Sequence, residues 1–268
     1  MKEKLMPLSE AADLITEGQL LALGGNSLHR SPVAFGYQLA KKGFKKLKAC
    51  AAAPGIATDV LCATYSVDTI YFGFFGFENE YGLAPGMRRG VQEGKIRPIE
   101  GACTAIINAM RAGAYGVPFL PVAGMFGSDL LELNPDFYFI SKSPLDGKEV
   151  VCVKALNPDW AIIHVQEADR FGNARILGSD FQDVIMTRAS KHVIITAEKI
   201  VDTSVFRAQP KLTSVPHLLV DAVVHVPNGA KPGVCYDCYE TVDDAGIKAY
   251  QQAVKDDQVM QFLNTITC

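Results

Sequence analysis

Two glycine-containing segments carry residues that could bind or transform a small molecule. In the first, segment 23–32, a short apolar run stops at Gly24 and Gly25, and Ser31 and Pro32 then open a helical pattern. Glycines let a ligand approach the backbone, and the unpaired N–H groups of a helix N-terminus attract anions. Arg30 adds a fixed positive charge that suits a carboxylate or a phosphate. A strand–turn–helix junction without a ligand would look the same, so this segment alone assigns no site.

The second segment, 73–80, interleaves phenylalanine with glycine and then ends in carboxylates. Aromatic residues such as Phe77 could wall a pocket, and a carboxylate such as Glu78 could carry a proton. Core phenylalanines followed by a solvated acidic turn would give the same pattern. A third carboxylate, Glu100, follows the short β-like run 96–99, where by itself it fits a helix-start acid beside the helix dipole.

The elements that position these residues are predicted by apolar runs of strand length that alternate with helical patterns. Ser31 is predicted as an N-cap with Pro32 at the first helical position, and Gly43 as the stop of that helix. The predicted strands are 19–23, 47–51, 69–72, 119–122, 150–153, 161–165 and 192–196, and the predicted helices 8–15, 33–40, 56–64, 86–93, 104–112 and 245–266. This alternation predicts an α/β fold with an open, largely parallel sheet and helices on both faces. In such a sheet, ligands bind beyond the carboxyl ends of the strands.

Two segments interrupt this rhythm. Segment 129–148 carries two prolines and an Asp-Gly pair, which predicts an excursion over the surface. Segment 169–173 lies between two β-like runs and predicts a hairpin turn. Repeats and strong linkers are missing, so residues 1–268 are predicted to form a single domain.

Composition narrows the class of protein. The chain has 268 residues, 49% hydrophobic residues and a net charge of −3, which argues against disorder and against nucleic acid as the main partner. The uncharged stretch 112–128 approaches the length of a membrane span. It holds Pro118, Pro121 and four glycines, so it predicts a buried strand with turns. With no signal peptide recognised, a cytoplasmic protein without a membrane partner is expected.

Cysteines and histidines give no recognisable metal motif. The seven cysteines are an odd number, which argues against a disulfide framework. Cys235 and Cys238 have CxxC spacing, but zinc needs four ligands and neither a second CxxC nor an HxxxH occurs. We therefore expect two reduced thiols and no metal. His164 and His192 lie within strand-like runs and are predicted to be hydrogen-bonded core residues.

Six segments in order, covering about residues 18–232, resemble the A (α) subunit of family I coenzyme A transferases, most closely the glutaconate CoA-transferase type. They are the loop with Gly24, Gly25, Arg30, Ser31 and Pro32, and the segments 116–122, 161–166, 172–176, 181–184 and 220–232. The resemblance implies the α-subunit fold of these transferases (NagB/RpiA/CoA transferase-like). It also implies a heteromer, α2β2, in which the β subunit supplies the nucleophilic glutamate.

The resemblance further implies coenzyme A and acyl-CoA as substrates, a carboxylate as acceptor and no permanently bound cofactor. Contacts to substrate or coenzyme A are then expected at Gly24, Gly25, Asn26, Ser27, Arg30, Phe77, Glu78, Gly127 and Ser128. Gly25 and Asn26 would act through their backbones, and Arg30 would hold a substrate carboxylate or clamp the structure. No catalytic residue is assigned to this chain, with Glu100 as the candidate.

This chain departs from the transferase pattern at two places. Asn26 replaces the aromatic residue of a Gly-Gly-Phe loop, and segment 129–148 is shorter than in the glutaconate enzymes. An alternative is the α subunit of a related hydrolase that opens a carbon ring of steroid-derived acyl-CoA and uses a glutamate of that α subunit, near Glu100 here. A third alternative is a ligand-sensing domain without catalysis, which would be stable alone, whereas both enzymes need a partner chain.

Overall fold

The structure is a computed structural model that describes residues 2–266, and its strands form two sheets. The strands are β1 (Leu20–Leu23), β2 (Leu47–Ala51), β3 (Val67–Phe72), β4 (Arg97–Glu100), β5 (Phe119–Val122), β6 (Tyr138–Lys142), β7 (Glu149–Lys154), β8 (Trp160–Ala168), β9 (Ala174–Arg175), β10 (His192–Ile200) and β11 (Ala222–His225). The large sheet has the order β11-β10-β8-β1-β2-β3-β4, and all of these strands are parallel. The short strand β9 adds to this sheet in the antiparallel sense, against β8. The predicted α/β fold with a largely parallel sheet is confirmed.

The helices cover both faces of this sheet. They are α1 (Leu8–Asp13), α2 (Val33–Lys42), α3 (Ile56–Ala63), α4 (Glu78–Tyr81), α5 (Pro85–Gln92), α6 (Cys103–Tyr115), α7 (Leu130–Leu133), α8 (Asp183–Ala189), α9 (Thr203–Ala208), α10 (Asp244–Lys255) and α11 (Val259–Thr265). Side chains alternate across a strand. Leu21 and Leu23 of β1 pack in a core with α2, α3 and α10, whereas Ala22 packs on the opposite face with α6 and α8.

The start of α2 differs from the prediction. Pro32 is the N-cap residue, and no side chain caps the helix. The Ser31 hydroxyl instead accepts a hydrogen bond from the Ala57 N–H at 3.4 Å, in the first turn of α3. That turn has unpaired N–H groups and a glycine N-cap, Gly55, so a buried hydroxyl there satisfies an orphan donor. The predicted stop is correct, since Gly43 ends α2 in the left-handed region.

The single terminal helix predicted over 245–266 is wrong, because the chain breaks between α10 and α11, where Asp257 has φ 56°. On α10, the Tyr250 hydroxyl donates to the buried carboxylate of Asp59, 2.7 Å away. The same carboxylate accepts the N–H groups of Gly86 (3.1 Å) and Met87 (2.7 Å) at the start of α5. Asp59 thus joins α3, α5 and α10.

Segment 129–148 contains more regular structure than a surface excursion. It includes α7 and the strand β6, which pairs with β7 in a three-stranded antiparallel sheet of order β5-β7-β6. Tyr138 of β6 is buried, and its hydroxyl donates to the Glu100 carbonyl at 3.2 Å, which anchors this small sheet at the end of β4. The predicted hairpin at 169–173 is present: the Asp169 carboxylate accepts three backbone N–H groups of that turn.

The uncharged stretch 112–128 ends α6, forms β5 and continues as a loop. Within residues 2–266, no helix combines the length and the apolar character that a membrane crossing requires.

Candidate active site

The loop after β1 occupies the carboxyl edge of the large sheet and allows only glycine at two positions. A Cβ at Gly24 would lie 2.7 Å from Cγ2 of Ile163, and Gly25 has φ 80° in the left-handed region. Asn26 and His29 then close the loop by exchanging backbone hydrogen bonds of 2.9 and 2.8 Å. The two glycines therefore serve the close packing of this loop against β8.

A buried ion pair holds the loop from behind. Arg30 donates to Asp183 Oδ2 at 2.7 Å, to the His164 carbonyl at 3.0 Å and to the Ser179 carbonyl at 2.7 Å. The other carboxylate oxygen of Asp183 accepts the Gly25 N–H at 2.8 Å. Burial raises the pKa of Asp183, while the Arg30 charge and the Gly25 N–H oppose that rise. Arg30 is 3% exposed, so of its two expected roles the structure displays the clamp.

Gln182, the neighbour of Asp183, joins two strand ends. Its Oε1 accepts the Ala52 N–H at 2.6 Å, directly after β2, and its Nε2 donates to the Gly25 carbonyl at 3.3 Å. Both residues belong to a segment on which the family resemblance rests, but neither is predicted as a site residue from the sequence. They lie more than 150 residues from the loop they hold.

Ser27 connects the loop to the second predicted segment. Its hydroxyl donates to the Gly76 carbonyl at 2.6 Å, and its N–H donates to the Ala53 carbonyl at 2.9 Å. The two glycine-containing segments of the sequence therefore lie side by side. Ser27, Arg30 and Glu78 all have left-handed φ angles, between 52° and 60°. Such backbone strain in non-glycine residues concentrates at functional sites.

Phe77 and Glu78 have different surroundings. Phe77 is fully buried in the core with its ring beside Tyr250, so it does not line an open pocket. Glu78 begins α4, is half-buried, and its carboxylate forms no hydrogen bond within the described part of the chain. Glu78 is thus a carboxylate without an internal structural partner, two residues from the Ser27 contact.

Glu100 lies on the other side of the second segment. A cleft of about 260 Å³ is lined by Glu100 at the end of β4, by Phe74 and by apolar residues of β3 and α5. The Glu100 carboxylate is exposed at this cleft. Gly127 and Ser128 follow β5, where Ser128 makes local backbone contacts to Met125 and Leu130. Across residues 2–266, no hydrogen bond joins Gly127 or Ser128 to the loop after β1.

The hydrogen-bond donors of the loop differ from those expected. The N–H of Gly25 is used by Asp183, and the N–H of Asn26 by the His29 carbonyl. The backbone contacts expected for a ligand at these residues are therefore made within the chain. The Asn26 carboxamide is half-buried and has no hydrogen-bond partner among the described residues. It is the polar group of the loop that remains available to a ligand, at a position that the family resemblance marks only as an unusual replacement.

Comparison with known proteins places the chain in a family. The family model "Coenzyme A transferase" matches residues 5–226. The α subunit (chain type A) of glutaconate CoA-transferase from Acidaminococcus fermentans is 32% identical, over 94% of this chain and 83% of that protein. The crystal structure of glutaconate coenzyme A-transferase from the same organism matches with a TM-score of 0.90 at 30% identity, covering 96% of this chain and 86% of the matched chain.

Two further relatives bear on the activity. The cholesterol ring-cleaving hydrolase IpdA subunit of Rhodococcus jostii is 26% identical, over 97% of this chain and 90% of that protein. An uncharacterized protein of Archaeoglobus fulgidus is 36% identical over 87% of this chain. The chain spans 52% of the length of that archaeal protein.

Proposed function

The chain belongs to the coenzyme A transferase family, and we propose that it is the α subunit of a heteromeric enzyme that moves coenzyme A between an acyl-CoA and a free carboxylate. The similarity to the glutaconate enzyme over nearly the whole chain supports this assignment. The observation that carries it is the loop after β1, which is held rigid by Asp183 and Gln182 and leaves the Asn26 carboxamide available. A rigid donor beside a thioester stabilises the charge that develops on its carbonyl oxygen.

In the proposed reaction, a glutamate carboxylate of the partner chain attacks the thioester carbonyl of the acyl-CoA. The carbon–sulfur bond breaks, coenzyme A leaves as a thiolate, and an acyl-glutamyl anhydride remains. The thiolate then attacks the glutamyl carbonyl, which releases the acyl carboxylate and forms a glutamyl-CoA thioester. The acceptor carboxylate reverses these steps. This chain's contribution is to bind the carbonyl oxygen through Asn26 and to help exclude water.

A β subunit is the proposed partner, in an α2β2 assembly. The nucleophile is assigned to that subunit by the family resemblance, and exposed apolar side chains such as Phe126, Leu133 and Ile140 suit a permanent interface. We also propose the cytoplasm as the compartment, since the six cysteines that the structure describes are all free.

Borohydride trapping tests the transferase assignment. The purified complex is incubated with acetyl-CoA, reduced with borohydride, digested and analysed by mass spectrometry. We expect one glutamate of the partner chain converted to the corresponding alcohol, and labelled acetate exchanged into acetyl-CoA or a related short acyl-CoA. A complex that contains a partner chain but gives neither the alcohol nor exchange with any short mono- or dicarboxylate would contradict the proposal.

The second candidate is a ring-opening acyl-CoA hydrolase, and the position of Glu100 in an open cleft favours it as the alternative. A hydrolase of this kind forms no enzyme-bound thioester, and its reaction would depend on Glu100. In a transferase, Glu100→Gln keeps the borohydride-trapped glutamate on the partner chain. Retained trapping in that variant therefore favours the transferase, and lost ring opening without trapping favours the hydrolase.

A further inference from the structure

A second buried cluster lies behind the loop, on the far side of His164. His164, Glu198 and Cys235 are all buried, and one ligand atom from each lies within 4.8 Å of the other two. Cys238 follows in a CxxC pair and is half-buried beside Cys235. We propose that these four residues bind a structural zinc ion. The proposal does not depend on the transferase assignment.

The turn that carries the two thiols has the form of a metal-binding knuckle. The Cys235 carbonyl accepts the N–H groups of Cys238 (3.0 Å) and Tyr239 (2.8 Å), and the Cys235 N–H donates to the Tyr239 carbonyl at 2.9 Å. Asp237 lies in the left-handed region with φ 67°. This tight turn places the two thiols in hydrogen-bonding contact with each other. C-x-x-C is the spacing at which paired cysteines hold zinc.

His164 is oriented as zinc-binding histidines are. Its Nδ1 lies 2.9 Å from the Thr196 hydroxyl, which itself donates to the Ile163 carbonyl at 3.3 Å. Because that hydroxyl has one proton, its oxygen is left to accept a hydrogen from Nδ1. Nε2 is then the coordinating nitrogen, and it faces Glu198 Oε1 at 2.7 Å. A second-shell hydrogen bond of this kind fixes the tautomer of a metal-binding imidazole.

Glu198 offers one oxygen to the cluster and keeps the other for the backbone. Its Oε2 accepts the Asn228 N–H at 2.7 Å, while Oε1 accepts the Tyr239 hydroxyl at 2.6 Å and faces His164. Ligand atoms around a tetrahedral zinc are about 3.5 Å apart, so His164 and Glu198 need to separate by about 1 Å. The His164–Glu198 hydrogen bond is the metal-free arrangement of the same atoms.

The charges around the cluster suit a zinc ion with two thiolates and a carboxylate, whose sum is one negative charge. Burial raises the pKa of both thiols, while the positive charges of Arg30 near Cys235 and Lys199 near Cys238 oppose that rise. Zinc binding releases both thiol protons and the proton on His164 Nε2. The ion would join β8, β10 and the turn that accepts the Arg30 N–H through the Val234 carbonyl. It would stabilise the structure beneath the active-site loop.

Cobalt substitution tests the site in the whole purified protein. After removal of bound metal by a chelator under reducing conditions, the protein is titrated with Co²⁺ alone. We expect one equivalent bound, a thiolate-to-cobalt charge-transfer band in the near ultraviolet and strong visible bands of tetrahedral geometry, all displaced by Zn²⁺. Wild-type protein that gives no charge-transfer band overturns the proposal, and this measurement needs no variant to fold.

Variants then identify the ligands. Cys235→Ser with Cys238→Ser is expected to abolish the band, and Glu198→Gln to weaken Zn²⁺ binding at least tenfold. Cys103→Ser, a partly buried thiol at the start of α6, is the matched control and should leave the band unchanged. A band that survives in the double variant overturns the proposal. So does a protein that loses two thiols to a Cys235–Cys238 disulfide on exposure to oxidised glutathione but binds no cobalt when reduced.

Discussion

The carboxylate of Asp183 lies 2.7 Å from the guanidinium of Arg30, with both side chains buried and 153 residues between them in sequence. Its second oxygen binds the Gly25 N–H, so one carboxylate fixes both ends of the loop after β1. The pair is the mechanical centre of the candidate site, and its neighbours depend on it for their positions.

Removing either partner of the pair should strongly destabilise the protein. Asp183→Asn or Arg30→Met leaves a buried charge without its counter-charge, which costs about 3 to 5 kcal/mol of unfolding free energy. Urea unfolding of the purified protein measures this loss. The double variant should lose less than the sum of the single variants, because it leaves no unpaired charge. Additive losses in the double-mutant cycle would show that the two side chains do not interact.

Replacing the free carboxamide of the loop should affect activity rather than stability. Asn26→Ala removes a group without an internal hydrogen bond among the described residues, so the melting temperature should not change. If the carboxamide binds the developing oxyanion, kcat falls about a hundredfold. The matched control is Asn264→Ala, an exposed amide on α11. Equal kcat values for the two variants would exclude Asn26 from the reaction.

A methyl group at Gly55 should disturb the loop through its neighbour. A Cβ there would overlap the Ser27 carbonyl oxygen, so Gly55→Ala must displace the loop, and both stability and activity should fall. Gly116→Ala is the control. Its Cβ would meet no atom within 4 Å, and its cost is left-handed strain of about 1 to 2 kcal/mol. Activity assays and urea unfolding of both variants distinguish displacement from strain; unchanged activity in Gly55→Ala would contradict the expectation.

The buried carboxyl of Asp59 should make stability depend on pH. Burial raises its pKa from 3.8 to about 6, and the hydrogen bonds from Met87, Tyr250 and Gly86 oppose that rise. Because the folded-state pKa lies above the unfolded one, this contribution to stability is complete below about pH 4 and is lost as pH rises through about 6. A shift of about two units corresponds to roughly 3 kcal/mol.

The comparison of wild type with Asp59→Asn isolates this effect, because subtraction removes the other carboxylates that the two proteins share. Unfolding free energies are measured at intervals from pH 4 to pH 7. The difference, wild type minus variant, should fall steadily over that range. A difference independent of pH would show that Asp59 titrates at its ordinary value.

The sequence predicted the fold better than the site, for physical reasons. Strand and helix patterns are local, so the parallel sheet and most element positions could be read directly. Ser31 shows the limit: a serine before a helix is a good cap, but its hydroxyl is used by the neighbouring helix α3. Likewise Phe77 follows a pocket-like pattern, and only the packing of α10 places it in the core.

The groups that hold the site are distant in sequence and have no motif of their own. Gln182 and Asp183 were visible only as part of a family resemblance, because nothing local connects them with Gly25. His192, predicted as a core residue, stacks on Trp160 with a half-exposed side chain, since an edge of the strand pattern does not define burial. His164 is buried and hydrogen-bonded as predicted.

The contact between Tyr250 and Asp59 also bears on where the chain can be shortened. The family match ends at residue 226, but α10 and α11 lie beyond it and close the core over α2 and α3. A truncated protein that stops at the family boundary would expose that core and leave the Asp59 carboxylate without its hydroxyl partner. Limited proteolysis should therefore spare the segment 244–265, and an expression boundary belongs after α11.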